Sequence, residues 1–407
     1  MDAYLANNIW VLTASVLVFI MQAGFACCES GFARSKNASN IWLKNFCDFA
    51  IGALVFYLIG FGFMYGDDWN GLIGINGFLN PLDQDLEVWA GMEGSLDPRI
   101  YLLFQTMFCA TTATIISGAV AERFEFKSYL IVIVFMTAFV YPVIGHWTWG
   151  GGWLSQIGFV DFAGSGIVHG CGGVAALVGC ILVGPRIGKY SADGKSHAIP
   201  GHNIPMGVLG GFLLFVGWYG FNPGSELGFD DVTMYTTITT TLAASGGTLA
   251  AMFTSWIAFK KPDPTMAVNG CLCGLVAICT GVAEVSYVGA ILIGIIAGLL
   301  VVGSIYFLDH KCHVDDPTGA ISIHGAGGIW GMISGGLFSQ VSGLFYGFGI
   351  AHLGIQILGA ICIIAFTAVI CFIIFSVLKH TIGIRVPKEV ELEGLDSHEH
   401  NMVAYNI

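Results

Sequence analysis

The sequence predicts an all-α polytopic membrane protein of eleven transmembrane helices. They form a five-plus-five inverted-topology repeat with one further C-terminal helix, N-out and C-in. Three observations carry this. First, 55% of the residues are hydrophobic and only 10% charged, with a mean hydropathy of +0.77. A soluble domain carries roughly 25% charged residues, so this chain cannot cover a water-facing surface. Second, the apolar runs are about 18–25 residues long, which is helix length for a bilayer, and the alternation of an outer-membrane barrel is absent. Third, one histidine-containing, glycine-rich segment occurs twice, 155 residues apart.

The runs fall at 8–31, 45–65, 100–121, 128–147, 161–184, 203–222, 231–259, 265–281, 286–308, 317–338 and 348–378. MDAYLANN has no Lys or Arg ahead of the first run, so that run reads as a retained helix rather than a signal peptide. Punctuation such as PGHNIP, KKPDP and DDPTG separates later helices, because proline halts a helix and polar residues cap the next. No long linker divides the chain. It reads as a single domain over 1–407, with the helices in 1–378 and a cytoplasmic tail over 379–407.

Orientation follows from the basic residues, which favour the cytoplasmic side. With the N-terminus outside, fourteen of the 15 Lys and Arg residues fall inside and only Arg99 falls outside. The outer 66–99 loop is then acidic (Asp67, Asp68, Asp83, Asp85, Glu87, Glu93 and Asp97), which favours cations near an entrance. The formal charge of −12 gives no reason to expect nucleic-acid binding. The twelve cysteines lie mostly single in apolar runs, without the paired spacing of a zinc site, and read as small core residues. No metal or cofactor is expected.

The repeat reads DFAGSGIVHGCGG from Asp161 and DPTGAISIHGAGG from Asp316. Each copy has Asp eight residues before His, Gly three after Asp, and G-x-G-G after His. The first copy lies on the fifth span, running inward, and the second on the tenth, running outward. That is an inverted repeat. Eight helical residues rise about 12 Å, so His169 and His324 reach the middle of a core about 30 Å thick from opposite faces. A single membrane histidine is readily a packing residue satisfied by a hydroxyl; two at inverted, equivalent positions favour a functional reading. Asp316, followed by Pro317, fits a helix cap; Asp161 is open to capping and to a functional role.

Three further stretches place aromatics and hydroxyls at outer helix ends: FQTMF (104–108), HWTWGGGW (146–153) and GWYGFNPGSEL (217–227). Such aromatics commonly form the interfacial belt, although ring faces and a hydroxyl also hold a cation.

Strings along nearly the whole chain resemble the ammonium transporter family, which includes the Rhesus glycoproteins. They are MQAGFACCESGFARSKN, GAVAERFEF, HWTWGGGWL, DFAGSGIVHGCGGVAALV, HNIPMGVLGGFLLFVGWYGFNPGS, VDDPTGAISIHGAGGIWG and GIRVPKEVELEGLDSHEH. Pro223 departs from relatives that have Ala there. The resemblance implies a homotrimer with one pore per protomer. It makes Phe108, Trp149 and Ser225 an external ammonium site, Phe108 and Phe221 a stacked gate, His169 and His324 the pore and proton relay, and Asp161 the acidic support. The implied function is ammonium transport across the inner or plasma membrane: recruitment, deprotonation, and passage of ammonia and a proton. Implied partners are ammonium and ammonia, methylammonium as an alternative cargo, the lipid bilayer, and a PII-type signal protein at the cytoplasmic face. The alternative is an ammonium sensor of the same fold coupled to signalling; no signalling domain is expected in the tail. An enzyme is not expected, because Asp161, His169 and the GFNPGS serine are too far apart for a hydrolytic triad.

Overall fold

The computed structural model describes residues 2–405. Each of the eleven apolar runs is helical. They are α1 (Ala3–Phe32), α2 (Ala38–Val55, Phe56–Gly60 and Phe61–Tyr65) and α3 (Pro98–Val120). The fourth, α4, joins Phe126–Phe135, Met136–Val140 and Tyr141–Thr148, and α5 joins Ser165–Gly170 and Cys171–Val183. Then come α6 (Ile204–Phe221), α7 (Asp231–Phe259), α8 (Pro264–Ile278), α9 (Tyr287–His310), α10 (Ile321–Ala326 and Gly327–Phe338) and α11 (Ala351–Thr381). Among the described residues, nine helices are long and apolar enough to cross a membrane; α8 is shorter, and α10 is not among the nine. Strand among the described residues is confined to small elements such as the hairpin of Asp68–Trp69 with Ile73–Gly74 in the 66–99 loop.

Helix starts follow local chemistry. Asp97, Asp230, Asp263 and Ser286 each accept a backbone N–H in the first turn of α3, α7, α8 and α9, and Pro98 and Pro264 open two of these helices. Arg99 holds the Asp97 carboxyl down to about 2. The second run begins earlier than hydropathy suggests, at Ala38 rather than 45, because its polar residues point inward. Asn40, Lys44, Asn45 and Asp48 are all buried, and Lys44 Nζ donates to the Phe124 carbonyl at 3.1 Å.

The fifth and tenth runs start later than expected, and this corrects the simple helical rise from Asp to His. Residues 161–164 and 316–319 are not helical. Gly164 (φ +100°) and Gly319 (φ +79°) occupy equivalent positions in the left-handed region, which a glycine enters without a Cβ penalty. The chain turns there, and the helix begins afterward with one wide i→i+5 turn in each copy, Ser165–Gly170 and Ile321–Ala326. Wide turns of this kind recur at functional sites. Here each carries the histidine.

The two copies cross at glycine. A Cβ built on Gly173 would overlap the Gly325 backbone nitrogen, and one on Gly328 would meet Gly170 N at 2.8 Å. In each copy the glycine four residues after His faces the glycine one residue after His in the other. The contact is therefore reciprocal, as a two-fold relation between copies requires.

A buried ion cluster ties the loops at the opposite end from the 66–99 loop. Arg186 donates to Glu122 (2.7 Å) and bidentately to Asp315 (2.9 Å each), and Arg34 also reaches Glu122. Burial pushes the Asp315 carboxyl up, but hydrogen bonds and charge from Arg186 outweigh it and hold the group well below the usual range. This pairing contributes stability above the unfolded carboxylate value of about 3.9, and the contribution fades as pH falls toward the lower folded value. The tail beyond α11 folds back over the same loops. Glu391 accepts from Ile187 N (2.7 Å), Asp396 from Asn40 N (2.8 Å) and Glu399 from Phe126 N (2.9 Å).

Candidate functional site: an aromatic pocket above a histidine pair

At the Asp97 end of α3, Tyr101, Phe104, Gln105 and Phe108 line a cavity of about 150 Å³ with Trp149, Phe162, Ser225 and Leu227. Trp149, in the turn after α4, is oriented by its indole N–H, which donates to the Asp161 carbonyl at 2.8 Å. Its ring stands edge-on to Phe108, with centroids 5.8 Å apart at 80°. The Ser225 hydroxyl donates to the Phe221 carbonyl at 2.7 Å. Its proton is thereby committed and its lone pairs are left to accept. Pro223 opens the short turn that carries Ser225, and Trp10 donates to its carbonyl at 3.3 Å. Ring faces and an accepting hydroxyl suit a small cation with N–H groups.

Beneath the cavity, Phe108 and Phe221 stack with centroids 4.1 Å apart at 24°. Both are essentially inaccessible. Next come the histidines. His169 Nδ1 and His324 Nδ1 lie 3.1 Å apart, and the rings are near parallel at 23°. Trp218 stacks on His169 at 5.1 Å, Phe221 lies 5.2 Å from it, and Phe25 lies 5.9 Å from His324. The Nε2 of His169 is buried and has no hydrogen-bond partner among the described residues.

This geometry has a chemical consequence. Two neutral imidazoles joined Nδ1 to Nδ1 share one proton: one ring donates and the other accepts. The donor ring has a bare Nε2, while the acceptor ring carries its proton on Nε2. A proton taken up at one Nε2 can therefore be matched by release from the other.

Below His324 lies a cavity of about 30 Å³, lined in part by Glu29, Asn269, Leu272, Thr318 and Ile323. Asn269, Thr318 and Phe32 also line a vestibule of about 430 Å³ that includes Arg186, Lys189, Asp309 and Asp316. The aromatic cavity, phenyl pair, histidines, small cavity and vestibule succeed one another along one path.

Asp161 is brought near this path without lining the aromatic cavity. Its buried carboxylate accepts from the N–H groups of Ser165 (2.8 Å), Gly166 (2.8 Å) and Ile167 (3.0 Å) and from the Thr280 hydroxyl (2.6 Å). Asp316 does the same for Thr318 (3.2 Å), Gly319 (3.0 Å) and Ile321 (2.7 Å). Both anchor the wide turns that present the histidines. Sequence reasoning did not single out Trp218, Phe25 or Gln105. Trp218 was findable, since it precedes Phe221 by three on one helix face. Phe25 had no local signal.

The fold defines a multi-pass membrane protein, and within it two cavities lie on either side of a mostly apolar stretch that holds two imidazoles. Residues 9–405 match the Ammonium Transporter Family model, and the chain belongs to that family. It is 42% identical to the ammonium transporter Amt2 of Archaeoglobus fulgidus over 98% of this chain and 87% of that one. It is 43% identical to a putative ammonium transporter of Synechocystis sp., covering 98% and 88%. Among solved structures, one titled "Sensor Amt Protein" superposes with a TM-score of 0.92 at 37% identity, covering 98% and 99%. Mep2 of Candida albicans superposes at 0.86 with 27% identity, covering 95% and 88%.

Trp149→Leu should weaken recruitment at the outer cavity while leaving the fold intact. A ring face is worth roughly 1–2 kcal/mol to a desolvated cation, so half-saturation for ammonium should rise about 5–30-fold. An unchanged half-saturation in a concentration series would return Trp149 to the interfacial belt.

Proposed function

We infer that this multi-pass membrane protein transports ammonium across the inner or plasma membrane. Phe108, Trp149 and Ser225 recruit the cation in the outer cavity, with Asp161 supporting Trp149 and the His169 turn. Phe108 and Phe221 form the gate. Ammonium gives up a proton near the gate, ammonia passes the apolar constriction, and His169 and His324 relay the proton. The observation that carries this reading is the 3.1 Å Nδ1–Nδ1 contact between the copies, set between an outer and an inner cavity. Moving a bare cation through such a pore costs far more than moving neutral ammonia. Potassium has no proton to surrender, so the same chemistry excludes it. Methylammonium fits the same scheme as a larger cargo.

The reading includes eleven spans as a five-plus-five repeat with α11 appended, N-out and C-in, in one domain over 1–407. It also includes a homotrimer of independent pores and a PII-type signal protein docking at the cytoplasmic face. The topology has a direct test. A cysteine introduced at Asn80 should react with an impermeant thiol reagent in intact cells, and one introduced at Lys261 should not. Labelling of Lys261→Cys from outside refutes the orientation. Transport itself is tested by rescue of growth on low ammonium in cells lacking their own transporters. No rescue with the protein present in the membrane overturns it.

The likeness to a structure named as a sensor supports a second reading. A sensor would bind ammonium in the same outer cavity and pass the signal through the loops and tail. Binding without flux distinguishes it.

A further inference from the structure

The histidine pair hands its proton to something on the inner side, and the residue facing it there is an acid. We propose that Glu29 takes up the proton released by the His169–His324 pair, through a water held in the cavity beneath His324. This rests on the transport reading above and adds a residue to it.

Glu29 is buried on α1 and lines that cavity together with His324. The cavity, about 30 Å³, is large enough for one or two waters, and a trapped water needs two to four polar partners. His324, Glu29, Thr318 and Asn269 supply them. The Asn269 side-chain oxygen is buried and lacks a hydrogen-bond partner among the described residues, so it is an acceptor in want of such a donor. Because Asn269 and Thr318 also line the inner vestibule, the cavity has a polar exit.

The remainder of the Glu29 carboxylate is held for the task. Its Oε2 accepts from Asn45 Nδ2 at 2.8 Å and from the Ser117 hydroxyl. One oxygen is thereby anchored by α2 and α3. Nearby charged groups are Lys44 and Asp48, both buried on α2, with Tyr129 donating to Asp48 at 2.7 Å. His324 of α10 faces it across the cavity.

The transfer balances. His324 Nε2–H gives its proton to the water, and the water passes one of its own to a Glu29 oxygen. The carboxylic acid so formed releases the proton to the vestibule and returns to carboxylate. One proton enters, one leaves, and no electron moves.

The test uses the purified full-length protein in liposomes, with ammonium-evoked current read at several inner-side pH values. Wild type and His169→Ala serve as references for Glu29→Gln and Glu29→Asp. Gln keeps the shape and a hydrogen-bond acceptor but cannot cycle a proton. Its current should fall at least ten-fold while half-saturation stays within two-fold of wild type. Asp should restore current, with its dependence on inner-side pH displaced from that of wild type. A Gln current within two-fold of wild type overturns the proposal. So does an equal loss in Gln and Asp, which would make Glu29 a packing acceptor for Asn45 and Ser117. If Glu29→Gln fails to assemble, Glu29→Asp decides: a displaced pH profile supports the role and a superimposable one overturns it. A silent wild type is a different result, because it removes the transport reading itself and this proposal with it.

Discussion

His169→Ala and His324→Ala should each abolish the ammonium-evoked current, and the double variant should be no worse than either single one. The reason is the single shared hydrogen bond. With Nδ1 to Nδ1 at 3.1 Å, neither ring can pass a proton without the other, and members of one working unit give non-additive losses. The fold should survive. His169 makes its side-chain hydrogen bond to His324, and the wide turns are held by Asp161 and Asp316 through backbone N–H groups. Size-exclusion profiles of the variants should therefore match wild type. His169→Asp should keep partial current, since a carboxylate also carries a proton, but fixed charge in the pore should admit potassium. Current of normal size in a well-folded double variant would leave the two rings as polar packing.

Gly173→Ala should fail to give folded protein, although it adds only one methyl group. The added Cβ would overlap Gly325 N and sit 2.5 Å from Gly325 Cα, and both are backbone atoms that cannot rotate away. Overpacking usually costs about 1–3 kcal/mol, and a collision with backbone belongs at or above the upper end. The two copies would have to separate, which would also pull apart the imidazoles carried four residues earlier and one residue before the clash. Gly354→Ala on α11 is the control, with nothing within 4 Å of where its methyl group would sit. It should express normally and match or slightly exceed wild-type stability, since Ala is favoured over Gly in a helix by roughly 1 kcal/mol. The yield of folded protein, and thermal unfolding in detergent of whatever folds, read both. Equal melting temperatures for the two variants would mean that the crossing of α5 and α10 has slack that the geometry denies.

The pairing of the copies was legible because its markers are backbone requirements. Gly164 and Gly319 must turn left-handed, Gly173 and Gly328 must admit another backbone, and Asp161 and Asp316 must cap a helix start. Each leaves a fixed residue type at a fixed offset. Helix boundaries were less legible. Hydropathy put the start of α2 at 45 because Asn40 and Lys44 look like loop residues, yet both are buried, Asn40 against the tail at Asp396 and Lys44 against the Phe124 carbonyl. It put the start of α5 at Asp161 because the apolar run continues through the turn at Gly164. The outer pocket was legible as three aromatic stretches, but which rings touch which was not. Phe108 meets Phe221 across 113 residues of chain, and no periodicity links them. The contact of Glu29 with Asn45 and Ser117 is hidden for the same reason, since three helices supply one residue each.

The central claim is that ammonium is split near the gate and its proton relayed by the histidine pair, and current recorded from wild-type protein in liposomes tests it most directly. Pulses of ammonium should evoke a saturable inward current, and equal pulses of potassium should evoke none. Ammonium binding to the same preparation without current would contradict the claim and leave a sensor; potassium current of similar size would contradict it in favour of an open cation channel.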